Sequence, residues 1–268
     1  MLRRIKYIRR LLSKLSSFAV FGISSLILGT SLFPLFHVLA GFSEKRFNVI
    51  SRRFVNLFFR FFVKYIEVTG AMRLSVENRE LLKGIKGKVV IANHPSLLDV
   101  VILFSLIPNS NCIVKGALVQ NTFISAIIRN LYIPNSIPFE EQLERAKKSM
   151  IEDGNNLIIF PEGTRSKPGE PWQFKKGAAR FALFAEADVV PIYFGGNEKI
   201  GLRKHDKMLQ FHPTERYMYN LKVLPSIPVS PYKDMPMSKS AILLTDKMKE
   251  VLEKEHQNEK EKKKKKFP

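Results

Sequence analysis

The sequence predicts an α/β fold: a central, mostly parallel β-sheet flanked by helices, preceded by an N-terminal membrane-embedded helical segment. Three observations predict it. Short apolar, β-branched runs such as residues 89–91 and 156–160 recur between longer helical patterns, and parallel strands need helical crossovers. Two of these runs are followed at once by a polar turn, Asn93-His94-Pro95 in one case and Pro161-Glu162-Gly163-Thr164-Arg165-Ser166 in the other. Finally, residues 15–43 contain no formally charged side chain, a run too long for an ordinary signal-peptide core and long enough to span a bilayer.

Composition sets the class of partner. The formal net charge is +20, from 44 Lys+Arg against 24 Asp+Glu, which points to an anionic membrane surface or an anionic substrate. No zinc pattern is present and the basic charge adjoins a membrane-length apolar run, so nucleic acid is not expected as a partner. The single cysteine, Cys112, excludes an intrachain disulfide and a multi-cysteine metal site.

Taken in order, residues 1–68 are expected to form a basic N-terminus, a membrane helix or helical hairpin, and an interfacial amphipathic helix. Arg3, Arg4, Lys6, Arg9, Arg10 and Lys14 precede the uncharged run, and Lys45, Arg46, Arg52 and Arg53 follow it. Basic clusters on both flanks favour a hairpin that returns to its side of entry, with the bend near Pro34, which lacks an amide donor. Residues 47–68 mix phenylalanines with Arg and Lys and read as an interfacial helix, aromatic face in lipid. Residues 69–256 form the predicted catalytic domain. Its strands are expected near residues 72–76, 89–91, 113–115, 156–160, 189–194 and 219–224. Its helices are expected near residues 96–104, 122–130, 140–153, 175–186 and 238–255, with Ser96 as an N-cap. Residues 257–268, with five consecutive lysines from Lys262, read as a disordered tail.

His94 falls at a strand-to-helix turn with Asp99 just inside the following helix, at the sheet edge where α/β folds hold ligands. On a regular helix positions i and i+5 diverge by about 140°. The two can meet only if His94 stands on the bend and reaches back. Asp99 would then hold one imidazole nitrogen while the other acts as base. His205 and His212 fit no metal spacing and are assigned to surface or packing roles.

These motifs carry a resemblance. Asn93-His94-Pro95-Ser96-Leu97-Leu98-Asp99 resembles the His-x4-Asp motif of the glycerolipid and lysophospholipid acyltransferases (1-acylglycerol-3-phosphate acyltransferase-like). Phe160-Pro161-Glu162-Gly163-Thr164-Arg165-Ser166 is similar to that family's second strong motif, and residues 189–193 to its late hydrophobic block with a proline. The resemblance implies transfer of a fatty acyl chain from acyl-CoA or acyl-carrier protein to a hydroxyl of a lysophospholipid or other amphiphilic acceptor, with 1-acylglycerol-3-phosphate first among them. It implies His94 and Asp99 as catalytic residues, Glu162, Gly163, Thr164 and Arg165 as acceptor-binding residues, and neither metal nor cofactor. It also implies a catalytic domain on the cytoplasmic face of a membrane, a bacterial inner membrane.

One departure stands out. Where relatives place a phosphate-holding arginine this chain has Asn135, in Arg129-Asn130-Leu131-Tyr132-Ile133-Pro134-Asn135. Lys115 and Arg129 are the candidates to bind phosphate in its stead. Some bacterial members associated with aryl polyene lipid synthesis look closer to this variant. An acceptor without phosphate, such as an aryl polyene or amino-acid lipid, therefore stays open, as does a catalytically inactive membrane-binding adaptor.

Overall fold

The structure is a computed structural model and describes residues 2–120, 125–207, 209–212 and 215–266. The chain forms two compact units: Met1–Ala71 with Val100–Ile158 and Pro213–Arg216, and Met72–Asp99 with Ile159–His212 and Tyr217–Pro268.

The first unit opens with a long helix. Helix α1 (Leu2–Ile27) passes through a π-helical turn at Leu28–Leu32 into α2 (Phe33–Leu39) without a break in direction of the chain trace assigned to a loop. The reversal expected near Pro34 is not made there: the chain stays helical through Leu39, with the wider π-turn closed by the Phe33 amide on the Leu28 carbonyl immediately before Pro34. The reversal comes later, at residues 40–43, where Gly41 and Phe42 both adopt φ of +59°. Helix α3 (Glu44–Val68) then runs back along α1 and α2. His37 stacks on Phe47 at 3.7 Å near the turn, while at the far end the Ser13 hydroxyl donates to Thr69 Oγ1 at 2.7 Å and Tyr65 OH donates to Ser16 Oγ at 2.8 Å. A helical hairpin forms, but its two arms are α1–α2 and α3, and its ends meet near residues 9–16 and 65–70.

The expectation for α3 is reversed on one face. Phe47, Val55, Phe59 and Phe62 are buried inside the unit, with Phe59 5.9 Å from Phe104 and Phe62 5.5 Å from Phe21. Packing against α1 and Phe104 removes these rings from water without a lipid surface, and each ring buried takes a large apolar area with it. Leu57, Phe61 and Val68 remain more than half exposed, as do Ile8, Leu12, Val38 and Leu39 on the other arm. Tyr7–Leu39 is long and apolar enough, by length and composition, to cross a membrane.

The rest of this unit is α/β. Strand β3 (Ser110–Val114) pairs in parallel with β4 (Ile133–Pro134) and with β5 (Asn156–Ile159). Helices α4 (Asp99–Leu106), α5 (Ser125–Leu131) and α6 (Phe139–Glu152) intervene. The start of the helix expected from residue 122 lies outside the described residues. Cys112 is fully buried on β3, and burial pushes its thiol up to about 12, so it packs as a neutral side chain.

The second unit holds β1 (Met72–Glu77), β2 (Val89–Ala92), β6 (Val189–Gly196) and β7 (Tyr217–Val223) in the order β1-β7-β6-β2. Here β1 with β7 and β2 with β6 are parallel, and β6 with β7 antiparallel. Every residue of β2 is inaccessible, which explains why it reads as an unbroken apolar run instead of an alternating one. Helix α7 (Gly177–Phe184) contributes Ala178, Ala179 and Ala182 to the core. Helix α8 (Met237–Lys266) contributes Leu244, Met248 and Leu252, spaced at i, i+4 and i+8 and fully buried, each stabilising by about 1.5–3 kcal/mol.

Residues 257–266 of the tail expected to be disordered form the end of α8, and residues 267–268 lie outside the described residues. Glu, Lys and Gln are good helix formers, and Glu259–Lys263 is an i,i+4 ion pair at 3.1 Å. Tertiary bonds hold this end as well. Tyr193 OH donates to Glu259 Oε2 at 2.8 Å, the Gly196 amide donates to Glu259 Oε1 at 2.8 Å, and Lys263 donates to the Gly196 carbonyl at 2.5 Å.

Candidate active site

Strand β2 ends at Ala92, and the next residues turn away from the sheet. Asn93 anchors the turn: its side-chain amide donates to the Phe194 carbonyl at 3.0 Å and its Oδ1 accepts the Phe194 amide at 2.7 Å. The loop therefore leaves β2 tied to the neighbouring strand β6. His94 follows on the non-helical bend. Its Nδ1 lies 2.8 Å from Asp99 Oδ2, and its ring stacks on Phe160 with centroids 4.0 Å apart. The reach-back geometry that the spacing demanded is present.

Helix α4 begins at Asp99, three residues later than its expected start at Ser96. The physical reason lies in Asp99 itself. Its carboxylate turns back on the preceding loop, taking the Ser96 amide on Oδ2 at 2.7 Å and the Ser96 hydroxyl on Oδ1 at 2.5 Å. Ser96 thus serves Asp99 first and caps only weakly, its Oγ accepting the Leu98 amide at 3.2 Å. Asp99 has no solvent exposure, whereas the His94 side chain retains 16 %. A buried carboxylate that accepts three hydrogen bonds has fixed orientation, and the partly open imidazole beyond it has one ring nitrogen held and the other, Nε2, left for chemistry.

Tyr219 completes this network. It is fully buried on β7 and its OH stands 2.6 Å from Ser96 Oγ. Burial, reinforced by the Asp99 charge, drives its phenol well above the ordinary value, so it remains a neutral partner. Below its ring lies Lys199, whose ammonium is 4.5 Å from the ring centroid and donates to the Met218 carbonyl at 2.8 Å. Burial lowers the Lys199 ammonium to about 8. Sequence reading missed both. Tyr219 is 123 residues from Ser96, and nothing local to either marks the pair.

The turn after β5 meets the same bend. Glu162 Oε1 accepts the His94 amide at 3.0 Å and the Ser166 hydroxyl at 2.7 Å, and the Ser166 amide donates to the His94 carbonyl at 2.7 Å. The Glu162 turn therefore clamps the backbone of His94 from both sides. Burial holds the Glu162 carboxyl above the usual range, against the two hydrogen bonds that favour its anion. Gly163 has φ of +65°, and a Cβ there would lie 3.3 Å from Lys175 Nζ, so glycine is needed for conformation first and space second. Arg165 is partly committed: its Nη1 donates to the Leu202 carbonyl at 2.9 Å and the Arg203 carbonyl at 3.0 Å. Leu202 O also takes the Leu97 amide at 3.0 Å, so Arg165 braces the loop that packs on the His94 bend. Thr164 stands between them on the same turn.

His94, Asp99, Glu162, Gly163, Thr164 and Arg165 all belong to the second unit. Lys115 and Arg129 belong to the first. Lys115 is exposed just after β3, and Arg129 is exposed on α5 with Nη2 on the Val119 carbonyl at 3.3 Å. Asn135 does structural work there, its Oδ1 accepting the Gly116 amide at 3.0 Å and its own amide donating to the Val114 carbonyl at 2.8 Å. Among the described residues no group of three or more His, Cys, Asp and Glu stands where it could hold a metal ion.

Comparisons with known proteins show what the chain is similar to. Residues 73–195, which include both motifs, match the sequence model of the Acyltransferase family. A 1-acyl-sn-glycerol-3-phosphate acyltransferase of Cocos nucifera is 29% identical over 141 residues, 50% of this chain and 46% of that protein. A probable 1-acyl-sn-glycerol-3-phosphate acyltransferase of Mycoplasma pneumoniae is 31% identical over 158 residues, 54% of this chain and 58% of that protein. The chain spans about half the length of the curated relatives it matches. The crystal structure of the 1-acyl-sn-glycerophosphate (LPA) acyltransferase PlsC from Thermotoga maritima shares the fold, with a TM-score of 0.67 at 22% identity over 93% of this chain and 96% of that one. The family match lies on the segment that carries the His94–Asp99 pair and the Glu162–Arg165 turn, so residues 73–195 are similar to the acyltransferase family.

Proposed function

We propose that this protein is a membrane-associated O-acyltransferase that moves a fatty acyl chain from a thioester donor to the free hydroxyl of a lysophospholipid, 1-acylglycerol-3-phosphate before others. The observation that carries the reading is the His94 Nδ1–Asp99 Oδ2 contact of 2.8 Å, with the carboxylate fully buried and oriented by Ser96. Neutral His94 takes the acceptor's hydroxyl proton on Nε2 as the oxygen attacks the thioester carbonyl. Asp99 holds the Nδ1–H tautomer and stabilises the imidazolium that forms. As the tetrahedral intermediate collapses, the C–S bond breaks and the imidazolium returns its proton to the departing thiolate. No acyl-enzyme is required. Glu162 positions the His94 backbone, and the remaining N–H groups of Arg165 supply a cation beside it suited to phosphate oxygens.

The donor is acyl-CoA or acyl-carrier protein. Residues 1–68 anchor the protein and residues 69–256 carry catalysis, on the cytoplasmic face where such donors are made. The apolar hairpin suits amphiphilic substrates, and its exposed Ile8, Leu12, Val38 and Leu39 suit lipid. The orientation has its own test. Both hairpin ends lie together, so cysteines at Ile5 and Val68, both exposed positions, in a Cys112→Ser background should resist an impermeant thiol reagent on intact cells and react after lysis. Labelling of either in intact cells would put the catalytic domain outside.

A second reading, acyl transfer to an acceptor without phosphate, is carried by Asn135, which serves a backbone turn in place of a cation. The intact His94–Asp99 pair speaks against an inactive adaptor. Purified protein given palmitoyl-CoA or palmitoyl-carrier protein with 1-oleoyl-glycerol-3-phosphate should form the diacyl phosphate, seen by mass spectrometry. No diacyl product with either donor would overturn the lysophospholipid reading.

A further inference from the structure

Lys199 is a buried charge that the proton chemistry of His94 leaves without a role. It is only 3 % exposed, yet among the described residues its hydrogen bonds go to backbone carbonyls alone: Met218 at 2.8 Å, Gly195 at 3.4 Å, and Asn197. Burying an ammonium with no carboxylate against it is costly. The fold nevertheless makes room for it. A Cβ on Gly196 would strike the Met218 carbonyl that receives Lys199, and would lie 3.3 Å from its Nζ. What the ammonium does face is Tyr219, whose ring centroid is 4.5 Å away.

Hydrogen-bond direction fixes what Tyr219 does. Ser96 has one hydroxyl proton and the Asp99 carboxylate can only accept, so that proton goes to Oδ1 at 2.5 Å. In the 2.6 Å contact between Tyr219 OH and Ser96 Oγ, Tyr219 must then be the donor. The chain runs one way, from Tyr219 to Ser96 to Asp99, whose Oδ2 meets His94 Nδ1 at 2.8 Å. A cation on the face of the ring draws electron density from the phenol and strengthens its O–H as a donor.

We propose, resting on the acyl-transfer reading above, that Lys199 is a positioning residue: its charge, acting through Tyr219 and Ser96, holds Asp99 ionised and oriented toward His94. Lys199 needs no contact with either substrate for this. The charges that face it are Asp99 at the start of α4 and, from α8, Glu259 and Lys263, which pair with each other at 3.1 Å. Its neighbour Glu198 pairs with Arg203 at 3.3 Å. Burial lowers the Lys199 ammonium to about 8, against the attraction of Asp99 and Glu259. The charge is therefore present at neutral pH and lost as pH rises through that value, so it can be removed without a substitution.

The full-length protein in detergent micelles is assayed with palmitoyl-CoA and 1-oleoyl-glycerol-3-phosphate from neutral to alkaline pH. Wild-type kcat should step down about tenfold through pH 8, the scale of support lost behind a working imidazole. Lys199→Gln keeps an N–H for the carbonyls and lacks the charge. Its kcat should be about tenfold low at neutral pH, with both KM values unchanged and no step near pH 8. Tyr219→Phe keeps the ring and loses the donor, and the double variant should cost less than the product of the two single effects. Melting temperatures are compared throughout. A step that persists in Lys199→Gln, a kcat equal to wild type, a KM change with kcat intact, or fully multiplicative effects would each overturn the role. Should the variants not fold, the wild-type profile decides: a step supports it and a flat profile overturns it. The acyl-transfer reading fails separately, because the ring-carbon NMR signals of His94 need no turnover. In protein with isotope-labelled histidine, the signal absent from His94→Ala should show a step near pH 8 that Lys199→Gln lacks. That step without product keeps the coupling and loses the reaction. Product without a step in either measurement keeps the reaction and loses the coupling.

Discussion

His94→Ala is expected to remove acyl transfer while leaving a folded protein. The expected fall in kcat is about 10² to 10⁴, the usual contribution of a positioned general base. The fold should survive because the backbone of residue 94 carries the structural bonds. Its amide still donates to Glu162 and its carbonyl still accepts Ser166, whatever the side chain. What is lost is the ring's stacking on Phe160 and one of the three donors to Asp99. The check is a steady-state assay with the diacyl product quantified, beside circular dichroism and a melting curve. Turnover near wild type from a folded variant would sink the proposed mechanism. KM values for both substrates should change little, since the ring is assigned to the proton and not to binding.

Asp99→Asn is expected to cost nearly as much, with more of the network preserved. Asparagine is nearly isosteric, so one oxygen can still accept His94 Nδ1 and the Ser96 amide. The amide nitrogen then faces Ser96 Oγ, which can turn its own proton to Tyr219 OH. The fold therefore tolerates the change. The chemistry does not: the negative charge that stabilises the imidazolium is gone. In the opposite amide orientation the nitrogen faces Nδ1, forces the other tautomer, and places a proton on Nε2 where a base is needed. We expect kcat to fall by about 10² to 10⁴ with folding retained. A kcat within a few-fold of wild type would show that Asp99 only shapes the loop. Asp99→Ala would be a poorer test, because it leaves Ser96 buried with a cavity beside it and confounds activity with stability.

Much of this architecture is legible along the chain because its signals are local. The buried strand at residues 89–92, the turn after it and the β5-turn segment announce themselves by composition alone, and their motifs point to His94, Asp99 and Glu162. The hydrophobic run with a proline at residues 189–193 marks β6 for the same reason. The amphipathic spacing of Leu244, Met248 and Leu252 likewise exposes the buried face of α8. Other features depend on partners far away in sequence. The phenylalanines of α3 have the pattern of a lipid-facing surface, and only Phe21 and Phe104 across the unit turn Phe59 and Phe62 inward. The lysine-rich end of α8 has the composition of a solvated tail, yet Tyr193 and Gly196 give Glu259 fixed hydrogen-bond partners and the helix continues.

The same division runs through the site. Which residues are candidates for proton chemistry follows from residue type together with the motif resemblance, and their place at the edge of a strand from spacing, since an imidazole five positions before a carboxylate can meet it only across a bend. How the pair is held does not. Asp99 is oriented by Ser96 and, through it, by Tyr219 from a strand 123 residues later. Arg165 reads as a free anion-binding fork, but folding commits one of its nitrogens to the carbonyls of Leu202 and Arg203. Pro34 reads as the tip of a hairpin, but the chain stays helical through Leu39 and the reversal comes at Gly41 and Phe42. In each case residue chemistry sets what a side chain is able to do. The choice among those possibilities falls to long-range hydrogen bonds and packing, whose energies exist only once distant segments have been brought together.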